Sequence, residues 1–383
     1  MSKSNIEWTE QTWNPVVGCS ILSPGCINCY AMPMALRIEA MNLQAREAGK
    51  NPAAPHYDGT TQRVNGNAVW TGKLALAPEQ ILTRPLQRKK PTIYFVNSMG
   101  DLFHEDVPDE WIDRVFAVMA LCPQHTFQVL TKRAERMREY LSDADLQARL
   151  GATTTNVLSP SISIERAREL RHATRALPFP NVWLGVSTER QKEANERIPH
   201  LLATPAAVRF ISAEPLLGPI DLDDIVTYGE GYEDHRSALE CDVSVEDDEE
   251  FHGATLDWVI VGGESGHGSR PMHPDWVRAL RGQCQAAGVP FFFKQWGNWH
   301  PEIDRDRDDP DWRQPYADYK EPHFQILNFA GGRGFHGERV HVMRYVSKKS
   351  AGRILDGILH DEMPAAFQGR LSPVGKSMEG AST

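Results

Sequence analysis

The chain has 383 residues, 41% hydrophobic and 24% charged, with a formal net charge of −10. That length buries a large core, as one big α/β domain with insertions or as two domains, and the acidic balance excludes a general nucleic-acid coat, which needs clustered Lys and Arg. No 18-residue apolar run and no apolar stretch behind Met1 occurs, so a soluble, cytoplasmic protein without a membrane span is expected, and six cysteines are too few for a disulfide framework.

The first strand is expected at Trp13 to Gly18. It leads into Cys19, Cys26 and Cys29, a C-x6-C-x2-C run with a Pro24-Gly25 turn inside it. Thiolates packed this closely most often hold zinc or an iron–sulfur cluster. A structural zinc site closes with a fourth protein ligand, for which His56 or His104 is the candidate, whereas a working cluster keeps one iron open. Cys122, Cys241 and Cys284 are scattered and read as reduced.

A helix is expected over Ala31 to Ala48, a long loop or lid over Gly49 to Gly72, and a short helix over Pro78 to Arg88. Apolar runs then recur at Thr92 to Asn97, Thr126 to Thr131, Val182 to Ser187, Val208 to Ser212, Trp258 to Gly262 and Pro290 to Lys294. Segments of helical period lie between most of them: Asp109 to Leu121, Ala134 to Leu141, Arg166 to Ala176 and Pro274 to Ala287. This alternation predicts parallel βαβ units, about seven strands in all, short of a complete eight-stranded barrel. Asp221 to Gly253, with the acidic run Glu246 to Glu250, reads as a solvated insertion. Residues 1–299 form the expected partial barrel and 300–383 an extension ending in a helix-like Lys348 to Glu362.

In parallel α/β folds ligands bind beyond the carboxyl ends of the strands. The residues there are Asn97 to Asp101, Thr131 to Arg133, Ser187 to Glu189, Ser212 to Pro215, Gly262 to Gly266 and Lys294 to Gly297. A three-cysteine loop after the first strand of an incomplete parallel barrel, its last cysteine followed by Tyr30, resembles the radical S-adenosylmethionine superfamily. More closely, the chain resembles an uncharacterised group of phage and prophage proteins named for a three-cysteine motif. The stretches that carry this are Trp13 to Cys19, Phe95 to His104, Val261 to Gly266, Arg270 to Trp276 and Phe293 to Gly297. Two departures from the superfamily stand out: C-x6-C replaces its C-x3-C, and Met99-Gly100-Asp101 stands for its Gly-Gly-Glu.

The resemblance implies that Cys19, Cys26 and Cys29 bind three irons of a 4Fe-4S cluster, the fourth iron taking S-adenosylmethionine. It further implies Asp101 for the cofactor amine, Lys132 or Arg133 for its carboxylate, Ser187, Glu189 or Glu214 for the ribose, and Gly262 and Gly263 beside the adenine. Lys294, Trp296, His273 and Trp276 are the candidates for substrate contact. A reductant such as flavodoxin or ferredoxin and a nucleic acid or nucleotide substrate complete the expectation, the basic residues Lys89, Lys90, Lys132, Arg133, Arg136, Arg138 and Arg166 to Arg175 being the candidate groove. A zinc-stabilised binding module without catalysis is the alternative.

Overall fold

The computed structural model describes residues 6–158, 177–228, 232–241, 253–304, 319, 322–328 and 340–367. Seven strands build the central sheet: β1 (Gln11–Trp13), β2 (Ile93–Val96), β3 (Thr126–Thr131), β4 (Val182–Ser187), β5 (Arg209–Ala213), β6 (Trp258–Gly262) and β7 (Phe291–Gln295). Their order in the sheet is their order in the chain, and every neighbouring pair is parallel. Adding each strand to the same edge is the winding of a barrel, not of a doubly wound sheet. With β1 and β7 left as open edges, the fold is the incomplete parallel (β/α) barrel that the alternating apolar runs indicate.

The principal helices are α1 (Ala31–Glu47), α2 (Asp109–Ala120), α3 (Ala134–Leu141), α4 (Leu146–Leu158), α5 (Gln191–Leu202) and α6 (Pro274–Ala287). Asp109 and Glu110 in the first turn of α2 complement the helix dipole, and α6 stops at Gly288, whose φ of 68° is left-handed. The helix expected over Arg166 to Ala176 lies outside the described residues.

Strand alternation sends one set of side chains outward to the helices and the other inward. In β2, Tyr94 and Val96 join the outer core, while Ile93 and Phe95 face the inner one. The inner set is an aromatic plug of Trp183, Phe210, Trp258 and Phe292, closed by Trp8 from the N-terminal segment. Trp258 is fully buried, its ring 5.8–6.1 Å from those of Trp8, Trp183, Phe210 and Phe292, and its Nε1 donates to Glu362 O at 2.9 Å. Trp258→Ala is therefore expected to cost about 3–5 kcal/mol, read as a lower urea midpoint at constant slope; an unchanged midpoint would mean the plug is loosely packed.

Several expectations are corrected. Trp13 to Gly18 is not one strand: Pro15 has no N–H to continue the ladder with β2, so β1 ends at Trp13 and Val16–Val17 turns away to pair antiparallel with Ala75–Leu76. The 49–72 stretch contains a hairpin, Thr61–Val64 with Asn67–Trp70, whose Asn65-Gly66 turn has φ of 49° and 82°. Over Pro78 to Arg88 the chain forms Glu79–Leu82 and then a separate 3-10 turn, Arg84–Gln87. Lys348 to Glu362 is not a helix. Only Lys348–Ala351 is helical, and Ile354–Leu355 pairs with Ile358–Leu359 around a left-handed Asp356-Gly357 turn.

The insertion carries a hairpin, Ile225–Tyr228 with Glu233–Arg236, and its acidic run lies outside the described residues. The extension forms an antiparallel sheet of β8 (Trp299–Ile303), β9 (Phe324–Asn328) and β10 (Val340–Tyr345), with β10 central. Leu327, Met343 and Leu355 enter the same core as the barrel helices, so the extension is packed onto the barrel. No helix among the described residues is long and apolar enough to cross a membrane.

Candidate functional site

The aromatic plug fills the lower lumen and leaves its upper end open. There, beyond the strand ends, lies a cavity of about 360 Å³ lined by Cys19, Cys26 and Cys29 together. Asp101, Lys132, Arg133, Ser187, Glu214, Gly263 and Lys294 also line it, as do Trp8, Phe95 and Leu130 from below and Trp70 from the 61–70 hairpin. The volume falls in the usual range for ligand pockets. No histidine is among the described lining residues.

Three strand-end carboxylates grip the cysteine loop, each at a different interval. Asp101, after β2, accepts from Thr131 Oγ1 (2.6 Å), Phe103 N (3.0 Å), Lys132 N (3.0 Å) and Arg133 Nη1 (3.1 Å). The buried Arg133 guanidinium in turn donates to Ser20 Oγ at 2.8 Å, to both Glu105 oxygens, and to Cys19 Sγ at 3.8 Å. Glu189, after β4, is fully buried and accepts from Ser23 Oγ (2.6 Å), Arg197 Nη1 (2.9 Å) and Lys132 Nζ. Gly25 packs directly on Glu189, with no room for a Cβ. Glu264, after β6, accepts from Asn28 Nδ2 (3.0 Å) and from the Arg270 amide and Nε (both 2.8 Å), while Arg270 Nη2 donates to Pro24 O at 2.9 Å.

These contacts decide which groups remain for a ligand. Asp101 is saturated, and the Lys132 ammonium is held by Glu189, so both hold the loop in place. Glu189 and Gly262 do not line the cavity. A Cβ on Gly262 would meet the Glu214 carboxyl, and one on Gly263 the Trp296 carbonyl, so both glycines serve contacts within the protein. Trp296 lies on the outer face with Phe293, 3% exposed, its Nε1 bonded to Ile354 O at 2.8 Å. Strand alternation aims Lys294 into the lumen, whereas Trp296 lies past the last residue of β7 and turns outward onto Phe293. His273 and Trp276 sit at the start of α6 in the outer layer, away from the cavity. Within the cavity, Glu214 accepts from Lys294 Nζ (2.7 Å) and Gln295 Nε2 (3.0 Å), beside Ser187 and Ser212.

His104 is excluded as a fourth metal ligand. Its Nδ1 accepts from Asp106 N at 3.2 Å, which leaves Nε2 as the donor to Ser20 Oγ at 2.8 Å. Burial holds its pKa low, keeping the ring neutral.

Burial pushes the Cys19 thiol up to about 12, with Asp101 adding to the effect and Arg133 opposing it, and burial also raises Cys29. Such thiols keep their protons at neutral pH unless a metal centre displaces them. For Glu189, burial alone would raise the pKa, but Lys132 and Arg197 overcome it and hold the carboxylate below its ordinary range.

Reading the sequence by strand ends finds the cavity but not its fastenings. Ser20, Ser23, Asn28 and Arg197 have no role in that reading, and Glu264 enters it only as part of the 262–266 stretch, although the polar residues interleaved with the cysteines are the signal that the loop is pinned from several sides. Of the basic residues expected to form a groove, Lys132 pairs with Glu189, Arg133 bonds Ser20 of the loop, Arg136 pairs with Asp109, and 166–175 lies outside the described residues.

Comparison with curated proteins yields no match, and comparison with solved structures yields none either. A family model described as "Protein of unknown function (DUF5131)" matches residues 3–364, and the chain belongs to that family.

Proposed function

We propose that the protein is a radical S-adenosylmethionine enzyme in which Cys19, Cys26 and Cys29 hold a 4Fe-4S cluster at the mouth of the half-barrel. The observation that carries this reading is the convergence of three sulfurs on one cavity at the strand ends, with no histidine among its described lining residues. Held by those cysteines and given one electron by a small carrier such as flavodoxin or ferredoxin, such a cluster would supply reductive cleavage of the sulfonium to methionine and a radical able to take hydrogen from the substrate.

The chain's own residues do the rest. Asp101, Glu189 and Glu264, through Arg133, Ser23 and Asn28, fix the loop so that its sulfurs keep their spacing. The Glu214–Lys294 pair presents a carboxylate and an ammonium to the bound molecules, with the Ser187 and Ser212 hydroxyls beside it. Trp8, Phe95, Leu130 and Trp70 form a largely apolar enclosure that keeps water from a reactive intermediate. A nucleic acid or nucleotide is the substrate class proposed, by analogy with radical enzymes acting on DNA.

Anaerobic purification tests the reading. Brown protein with about four irons per chain is expected. Colourless protein carrying stoichiometric zinc at the cysteines would overturn it in favour of a zinc-stabilised binding module.

A further inference from the structure

Outside the cysteine cavity, α1 and the 61–70 hairpin border a second groove, of about 720 Å³. One wall carries Arg37 and Arg46 from α1 and the other Arg63 from the hairpin, with Leu36, Ala40 and Leu43 as apolar lining. The two carboxylates of the groove are already engaged within the protein. Glu39 Oε1 accepts from Gly59 N at 2.8 Å, and Asp58 accepts from Asn42 Nδ2 at 2.8 Å and from Arg46 Nη2. Arg46 is thereby neutralised. Arg37 has no partner among the described residues, and Arg63 reaches only the Gly66 carbonyl of its own turn, at 3.3 Å.

Two exposed guanidiniums that line one groove from opposite walls, neither with an ion-pair partner, suit oxyanions, which the guanidinium fork grips through paired N–H groups. The surrounding charge agrees. Residues 31–73 carry five Lys or Arg against three Asp or Glu, in a chain whose net charge is −10. The positive balance is local to this helix and hairpin, and a phosphate backbone is the polyanion such a patch attracts.

The same two elements also border the cysteine cavity. Tyr30, immediately before α1, and Trp70, the last residue of the hairpin, both line it. The Tyr30 ring is 53% exposed, and its hydroxyl donates to Ser98 O at 3.0 Å, which fixes the ring at the mouth. Proteins that bind single strands combine cations along the phosphates with aromatic rings on which unpaired bases stack. In a duplex the bases stack on one another and leave such a ring unused.

We infer that the groove between α1 and the hairpin is a track for single-stranded nucleic acid, with Arg37 and Arg63 gripping phosphates and Tyr30 stacking the nucleotide that enters the cavity. This rests on the nucleic-acid substrate proposed above and gives it a place on the surface. It does not rest on the cluster, because binding needs neither iron nor an electron.

The test is fluorescence anisotropy of a labelled single-stranded DNA or RNA titrated with the full chain at several salt concentrations. Binding should weaken with salt, and Arg37→Gln and Arg63→Gln should each lower the slope by about 0.7, equally for strands of different sequence. Tyr30→Leu should bind about tenfold more weakly, and Tyr30→Phe like the wild type. All four side chains replaced are exposed, so far-UV spectra should stay native. A duplex of the same sequence and polyglutamate should compete poorly, since neither offers an unpaired base. Wild-type affinity in the Arg37→Gln, Arg63→Gln double variant would overturn the inference, as would equal competition by duplex or polyglutamate. Failure of the wild type to bind any strand would overturn it too, and release of 5′-deoxyadenosine by that same protein would leave the radical chemistry standing without this track.

Discussion

Glu189→Ala is expected to destabilise the protein by roughly 3–5 kcal/mol, the largest stability loss for a single change near the cavity. Removing this carboxylate leaves Arg197, buried in the wall, and Lys132 without their counter-charge, frees Ser23, and opens a void against Gly25. Glu189→Gln, which keeps an acceptor for Ser23, should lose less. The same group gives the wild type a defined acid limb. Its folded pKa lies below the ordinary value of 4.5, so its contribution is fully present above about pH 4.5 and is lost as pH falls through the lower folded value. Urea midpoints across pH 3–7 check both statements: Glu189→Ala should flatten that limb, and an unchanged limb would show that Glu189 is not the group responsible.

Cys26→Ala is expected to abolish cleavage of S-adenosylmethionine while leaving the fold intact. Cys26 is buried against Ser23, 3.7 Å from its Oγ, and the loop stays tied by Arg133, Glu189 and Glu264 when the sulfur is removed. Iron content should fall with activity. Cleavage at the wild-type rate in this variant would remove the cysteines from the chemistry.

The barrel was legible because its strands are short apolar runs rich in β-branched and aromatic residues, such as Val182 to Ser187, separated by helices with clear 3.6-residue periodicity, such as Ala134–Leu141. Where the reading of the fold failed, local turn chemistry or proline had overridden the apolar pattern: Pro15 in the first strand, Asn65-Gly66 in the presumed lid, Asp356-Gly357 in the presumed final helix. The cysteine cavity was legible because parallel strands deliver their ends to one mouth. The division of labour among its carboxylates was not. Asp101, Glu189, Glu214 and Glu264 look alike in sequence, each a single acid after a strand. Only packing shows that Asp101, Glu189 and Glu264 clasp the loop while Glu214 pairs with Lys294 inside the lumen. Trp296 and His273 stand near strand ends along the chain, but Trp296 lies past the last residue of β7 and packs outward on Phe293, and His273 caps α6 in the outer layer.

The most direct measurement is the yield of 5′-deoxyadenosine from S-adenosylmethionine, with the iron-reconstituted protein held anaerobically and reduced by dithionite. The product should form with reduced wild-type protein and be absent without reductant. Protein that carries about four irons per chain and yet releases no 5′-deoxyadenosine on reduction would contradict the account.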